Sequence, residues 1–161
     1  MLVRIIYCST AAEGVDIDEF RRILTTAQKN NAARDLTGML MFNSRIFLQV
    51  LEGDRKEVNK LYNTLEQDPR HKDLMILKYE RAESRNWAEW SMSFAPASEA
   101  SRSIYLKYSV RSQFNPYVME GDAVEKMMEE LTDTTVAMED KKAKPQESPE
   151  KGALARLFSA S

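Results

Sequence analysis

The chain has 161 residues, and its 23 Lys plus Arg are balanced by 25 Asp plus Glu. The sequence has no basic stripe interleaved with aromatic residues, so nucleic acid is not expected as a partner. Its one cysteine excludes an internal disulfide and fits a reducing compartment, and one histidine beside it argues against a zinc site. No apolar run approaches the ~18 residues of a membrane span, so we expect a cytoplasmic protein without a membrane partner.

The first half of the chain alternates strand patterns with a helix pattern. Residues 2–8 are β-branched and apolar and predict a strand. Residues 16–31 begin with acidic side chains and carry apolar ones at offsets of three, four and seven, which predict a helix facing a core. The apolar positions are Phe20, Ile23, Leu24 and Ala27. Residues 36–53 predict two strands around a turn at 43–45.

The next segment adds a second helix and two further strands. Asp54 can cap a helix, and residues 74–82 predict a strand after a polar turn. The stripe of this helix consists of Val58, Leu61, Tyr62 and Leu65. Residues 86–96 predict an added strand with alternate side chains on one face. The order β-α-β-β-α-β plus one strand predicts an α+β, ferredoxin-like sandwich over residues 1–95.

Two helix patterns follow Pro96, which breaks the chain. Their apolar positions are Ile104, Tyr105 and Tyr108 in the first, and Val124, Met127, Met128 and Leu131 in the second, which spans roughly 122–132. The methionines suit an adaptable contact with a partner, but also packing on this protein's own sheet or on a dimer mate. We predict a helical extension over 96–135. Because residues 140–152 are charged and lack bulky apolar groups, we predict a disordered tail over 136–161.

Four polar side chains fall on faces that should be apolar. Gln49 lies in a strand with two buried faces, where an unpaired amide costs about 1–3 kcal/mol. Asn30 and Asn31 continue the core-facing stripe of the first helix, and Tyr7 shares a strand face with apolar residues. A planar ligand with a polar edge, lying between these elements, would satisfy several amides at once.

Each of these residues also has a purely structural interpretation. Asparagine near a helix end is often a C-cap, which would explain Asn31. A tyrosine in a strand more often packs than reacts, which would explain Tyr7. Gln49 could bond the backbone of a neighbouring loop. The residues alone leave both kinds of interpretation open.

Five segments, in this order and spacing, resemble the BLUF domain, the blue-light sensor that uses flavin. They are RIIYCS, QKNNAARDLTGMLMF, FLQVLEG, DPRHKD and WSMSF. The match covers about residues 1–95, and the region of YLKYS and Pro116 resembles the two-helix extension of short, stand-alone BLUF proteins. The resemblance implies a flavin, FAD or else FMN or riboflavin, between the two helices of the sandwich.

The resemblance also implies a role for each matching residue. Asn31 would bond the pyrimidine edge of the flavin, with Asn30 beside it, and Ile23 and Leu65 would flank the ring. Tyr7 would be the photochemical electron donor, and Gln49 the switch between Tyr7 and the flavin. The remaining matches are Arg70 and His71, near the ribityl-phosphate end, and Trp90 and Met92, a signalling pair on the last strand. Taken alone, the segment of Arg70 and His71 would be a solvated turn, and Trp90 and Met92 would be ordinary core.

The expected function is therefore a photosensor without substrate turnover. Light-driven electron and proton transfer from Tyr7 would rearrange the hydrogen bonds of Gln49, by rotation or tautomerisation of its amide. The last strand and the C-terminal helices would pass the signal to an unidentified downstream protein, and we expect a homo-oligomer. A cofactor-free ferredoxin-like interaction module is the alternative, because that fold alone carries no function. A flavin enzyme active in the dark is a third hypothesis, but the sequence has no nicotinamide-type glycine motif.

Overall fold

The structure, a computed structural model, describes residues 1–43, 45–89, 93–94 and 99–142. The strands are β1 (Leu2–Ala11), β2 (Thr37–Phe42), β3 (Ile46–Asp54), β4 (His71–Arg81) and β5 (Ser93–Phe94). The helices are α1 (Ile17–Ala33), α2 (Arg55–Glu66), α3 (Glu99–Tyr108) and α4 (Gly121–Lys142), with a short 3₁₀ helix at Pro116–Val118. Within the described residues, no helix is long and apolar enough to cross a membrane.

The strands form one sheet in the order β4-β1-β3-β2-β5. The first four strands pair antiparallel, and β5 adds to β2 in parallel, with Ser93 opposite Met39. The helices α1 and α2 pack on one face of the sheet, here called the front face, and α4 packs on the other, the rear face. The predicted ferredoxin-like sandwich with an added strand and two C-terminal helices is thus confirmed.

Local signals begin the elements where the sequence indicates. Asp16 caps α1, because its carboxylate accepts a hydrogen bond from the Glu19 backbone N–H at 2.9 Å, and Asp54 caps α2 as predicted. The turn between β2 and β3 is present, and the Asn43 side chain closes it by accepting from the Ile46 backbone N–H at 2.8 Å.

The sheet separates two apolar cores. The front core contains the predicted α1 residues Phe20 and Ile23 and the α2 residue Val58. The rear core contains the predicted α4 stripe, Val124, Met127, Met128 and Leu131, all buried. The methionines of α4 therefore pack on this protein's own sheet. Both faces of β3 are buried, as the FLQVLEG pattern indicates.

Several predicted boundaries differ from the structure. Strand β1 continues to Ala11 instead of ending at residue 8. Residues 86–89 of the added strand predicted over 86–96 are bend and turn, so β5 is described only at Ser93–Phe94.

Strand β4 begins at His71 instead of residue 74, because His71 pairs with Ala11 of β1 instead of remaining in the polar turn. The helix α4 continues to Lys142, so the predicted span of roughly 122–132 is too short. Residues 133–142 contain neither Gly nor Pro, so no helix-breaking residue stops the helix there. Residues 143–161 of the predicted tail lie outside the described residues.

Candidate functional site

A cleft opens between α1 and α2 over the front face of the sheet. It has about 680 Å³ of empty space, counting the part that is open to solvent. All seven residues predicted to bind a cofactor line this cleft: Ile23, Asn30, Asn31, Gln49, Leu65, Arg70 and His71. They come from α1, β3, α2, the turn before β4 and the first residue of β4. The fold thus brings together residues up to 48 positions apart in the chain.

Tyr7 and Gln49 lie opposite each other in the ladder between β1 and β3. The Tyr7 hydroxyl donates a hydrogen bond to Oε1 of Gln49, so the contact expected between them is present. Tyr7 is 1% exposed and Gln49 is 5% exposed. Burial, with a smaller contribution from Tyr62, raises the pKa of Tyr7 above its ordinary value, so the phenol keeps its proton.

The two asparagines of α1 differ in their surroundings. Asn31 is buried, whereas Asn30 is exposed, although both line the cleft. The helix continues past Asn31 to Ala33 and its C-cap is Arg34, so the interpretation of Asn31 as a C-cap is wrong. The backbone carbonyl of Asn31 does accept a hydrogen bond from the Leu36 backbone N–H at 2.9 Å. The backbone of the helix turn that carries Asn31 is thereby bound to Leu36, the residue just before β2.

Arg70 carries its charge at the cleft between two carboxylates. Its Nη2 lies 2.7 Å from Asp68 and its Nη1 lies 2.9 Å from Glu19. The hydrogen bonds that Arg70 donates to Asp68, and to a smaller extent to Glu19, raise the pKa of Arg70 above its ordinary value. The positive charge expected at this end of the site is present, but it is compensated within the protein.

His71 is buried on the cleft wall and behaves differently from its neighbour. Its Nδ1 lies 2.8 Å from the Ser9 hydroxyl, and its ring centroid lies 4.6 Å from that of Phe47. Burial lowers the pKa of His71, against the opposing effect of Asp68. The imidazole is therefore neutral near pH 7, and only Arg70 of the predicted pair supplies a charge.

The sequence-based set lacks Asp68 and Ser9, which bind Arg70 and His71, respectively, and it also lacks Thr26, Leu40 and Thr64, which line the cleft. Asp68 binds Arg70 and also accepts from its backbone N–H at 2.9 Å, a local turn that the spacing D-P-R could have indicated. Ser9 shares the front face of β1 with Tyr7, since they are two positions apart, and that period could have indicated it. Trp90 and Met92, the predicted signalling pair, lie outside the described residues.

The residues present fit a flavin ring. The amides of Asn30, Asn31 and Gln49 can donate and accept hydrogen bonds, as the carbonyl and N–H groups of a flavin edge require. The aliphatic side chains of Ile23 and Leu65 line the same cleft and offer apolar contact to the faces of a ring. Among the residues that the structure describes, no group of three or more His, Cys, Asp or Glu could hold a metal ion.

A family model described as sensors of blue-light using FAD, the BLUF family, matches residues 2–93. The chain belongs to the BLUF family. A curated BLUF relative, the blue light- and temperature-regulated antirepressor BluF of Escherichia coli (strain K12), is 32% identical over 92 residues, which are 57% of this chain and 23% of that protein. The photoactivated adenylate cyclase subunit beta of Euglena longa is 32% identical over 95 residues, 58% of this chain and 11% of its own. The chain thus spans less than a quarter of the length of these relatives.

Solved BLUF structures share the fold. The photo-activated state of BlsA superposes with a TM-score of 0.75 at 26% identity and covers 81% of this chain and 94% of its own. The dark-state structure of the BLUF protein BlrB superposes with a TM-score of 0.56 at 27% identity. That superposition covers 58% of this chain and 70% of the BlrB chain. The likeness to BlsA therefore extends well beyond the region that the BLUF model matches, into the C-terminal helices.

Proposed function

We propose that this chain is a blue-light photoreceptor that binds FAD, or else FMN or riboflavin, in the front cleft, and that Tyr7 and Gln49 form its switch. The observation that carries the proposal is the hydrogen bond from the Tyr7 hydroxyl to Gln49, whose side chain also lines the cleft. Gln49 thereby contacts the phenol and the ligand space at the same time.

The residues that line the cleft would hold the flavin by its ring. The amides of Asn31, Asn30 and Gln49 bond its polar edge, and Ile23 and Leu65 flank it. Arg70, which binds Asp68 and Glu19, has a second N–H group on each of Nη1 and Nη2 that could meet a phosphate. The bound flavin supplies absorption of blue light and, once excited, an acceptor for one electron.

Tyr7 is suited to give that electron because its buried phenol stays protonated. On giving an electron to the excited flavin, Tyr7 would pass its phenolic proton to its hydrogen-bond acceptor, Oε1 of Gln49, and both would return to Tyr7 when the system relaxes. Gln49 accepts through Oε1 and can donate through Nε2, so rotation or tautomerisation of its amide changes which bonds it makes. Phe47 and Leu51 lie on the same face of β3 as Gln49 and are fully buried. They keep water away from Gln49, so water does not compete for the hydrogen bonds that distinguish its two states.

The output would be a change in protein contacts. The signal leaves through Trp90 and Met92 and through the C-terminal helices, without substrate turnover in this chain. Its receiver is a downstream protein, and the E. coli relative, named as an antirepressor, is consistent with that kind of output. We place this photoreceptor in the cytoplasm as a homo-oligomer.

Substitution of Tyr7 by Phe tests the proposal. We expect the purified protein to carry flavin and to show a reversible red shift of its absorption under blue light. Tyr7→Phe should keep the flavin and lose the shift, because it removes the electron-donating phenol and its bond to Gln49. Tyr62→Phe is the matched control, since its ring lies 5.7 Å from that of Tyr7, and it should keep the shift.

Two results would contradict the proposal. One is a normal red shift in Tyr7→Phe. The other is a colourless, flavin-free protein after mild purification, which would favour the ferredoxin-like interaction module instead.

A further inference from the structure

A buried arginine on the rear face of the sheet holds α4. The side chain of Arg4, in β1, is only 9% exposed and contacts three carboxylates. Its Nε lies 2.8 Å from Glu52 of β3, and its Nη1 lies 2.9 Å from Glu80 of β4 and 2.8 Å from Glu125 of α4. Lys78 of β4 also binds Glu125. These five residues, here called the Arg4 cluster, join three strands to the last helix.

The Arg4 cluster has more negative than positive charge. Lys78 also binds Asp122 at the start of α4, at 2.8 Å, so four carboxylates share two cations. If Arg4 moves away from Glu125, that carboxylate is left beside other carboxylates with Lys78 alone. Glu125, whose side chain is 13% exposed, would keep Lys78 but lose its contact with Arg4, so α4 docks less tightly when Arg4 moves away.

Glu52 extends the same cluster to a second point on α4. It is fully buried and accepts hydrogen bonds from the backbone N–H groups of Asn86 and Trp87, both at 2.9 Å. The buried Trp87 ring in turn donates from Nε1 to the Thr132 hydroxyl of α4 at 2.6 Å. The helix is therefore held to the sheet at Glu125 and, two turns later, at Thr132.

The Arg4 cluster shares its strands with the switch. Arg4 lies opposite Glu52, and Tyr7 lies opposite Gln49, in the same register of the β1–β3 ladder. The two pairs are three residues apart and point to opposite faces, because side chains alternate along a strand. A shift of β1 against β3 that follows a change of bonding at Gln49 therefore also moves Arg4 relative to Glu52.

We propose that the Arg4 cluster is the coupling device between the Tyr7–Gln49 pair and α4. The arrangement in which Tyr7 bonds Gln49 is the one in which Arg4 reaches Glu125, and a change of bonding at Gln49 weakens the docking of α4 on the rear face. Arg4 and Glu52 are thus positioning residues that act through the ladder. The inference rests on the proposed function of Tyr7 and Gln49 as a light-driven switch.

Amide hydrogen exchange in darkness and under blue light tests the coupling in the full-length, flavin-loaded protein. In the unaltered protein we expect amides of residues 124–132 to exchange about fivefold faster, or more, in the light, the lower end of typical coupling between sites. The Glu125→Gln variant should keep the flavin and the red shift. Its amides at residues 124–132 should exchange rapidly both in darkness and in the light. Equal rates in light and darkness in the unaltered protein would overturn the inference.

Glu130→Gln is the matched control, because it makes the same chemical change on the same helix. Glu130 pairs with Lys107 of α3 at 2.8 Å instead of with the sheet, so this variant should keep the light–dark difference. Loss of the difference in both variants would also overturn the inference, since a general loosening of α4 would then explain the result. If Glu125→Gln does not fold, the inference is still tested by comparing the exchange rates of residues 124–132 in light and in darkness in the unaltered protein. Absence of any red shift contradicts the switch itself, whereas a normal shift with unchanged α4 exchange contradicts only the coupling.

Discussion

His71 shows how the fold alters the chemistry of one side chain. In the sequence it follows Arg70 in a polar segment, yet in the structure it is a buried strand residue bonded to Ser9 and packed on Phe47. Burial lowers its pKa more than the Asp68 carboxylate raises it. The cleft wall therefore presents a neutral imidazole, which can accept or donate a hydrogen bond without adding charge beside Arg70.

The lowered pKa of His71 predicts how stability depends on pH. Below the ordinary value of 6.5, the unfolded chain binds a proton that the folded protein resists. The contribution of His71 is complete above pH 6.5, and the free energy of unfolding should fall as the pH decreases from there. Urea unfolding between pH 6.5 and about 5, above the ordinary range of carboxylates, should show this fall. His71→Gln should flatten it, and an equal slope in both proteins would contradict the assignment.

At the scale of elements, Gly38 allows β2 and β3 to approach each other beside the cleft. A Cβ atom built on Gly38 would lie 1.9 Å from the backbone carbonyl oxygen of Val50, which cannot move without breaking the ladder. Gly38→Ala should therefore lower the free energy of unfolding by about 3 kcal/mol, the upper end of overpacking costs.

Gly14→Ala is the control for this substitution. Gly14 has no atom within 4 Å of the added Cβ, but its φ of +85° disfavours alanine, so it should cost about 1 kcal/mol. Equal losses of stability for the two variants, measured by urea unfolding, would contradict the close approach.

The elements also show which parts of the site could be predicted from the sequence. The front face of β1 and the stripe of α1 follow local periods, so Tyr7, Asn31 and the order of elements could be predicted. The buried positions of Arg4 and Glu52 could not, because charges in strands are typical of solvent faces and their burial depends on each other, 48 residues apart. Trp87 depends in the same way on Thr132, 45 residues away. Local patterns carry no information about such pairs.

At the scale of the molecule, one sheet separates the Tyr7–Gln49 pair, the proposed switch, from α4. The front core holds the ligand cleft, and the rear core is covered by α4, so each strand of the central pair contributes to both. Beside the Arg4 cluster, the apolar part of the rear face is formed by these side chains of the sheet: Ile6, Cys8, Met39, Met41, Leu48 and Val50. The BLUF model matches residues 2–93, which excludes the helix that covers them. The region that the BLUF model matches is therefore shorter than the part of the chain needed to bury both faces of the sheet, which includes α4.

This difference predicts the behaviour of shortened chains. A chain of residues 1–95 would expose the rear face, a contiguous apolar patch of the kind that drives association. We expect it to aggregate, or to unfold at a lower urea concentration than the full chain. A chain of residues 1–142 keeps α4 and should match the full chain in both gel filtration and urea unfolding. A monodisperse 1–95 chain with the full-length unfolding midpoint would contradict this, because it would mean that α4 adds nothing to the stability of the sheet.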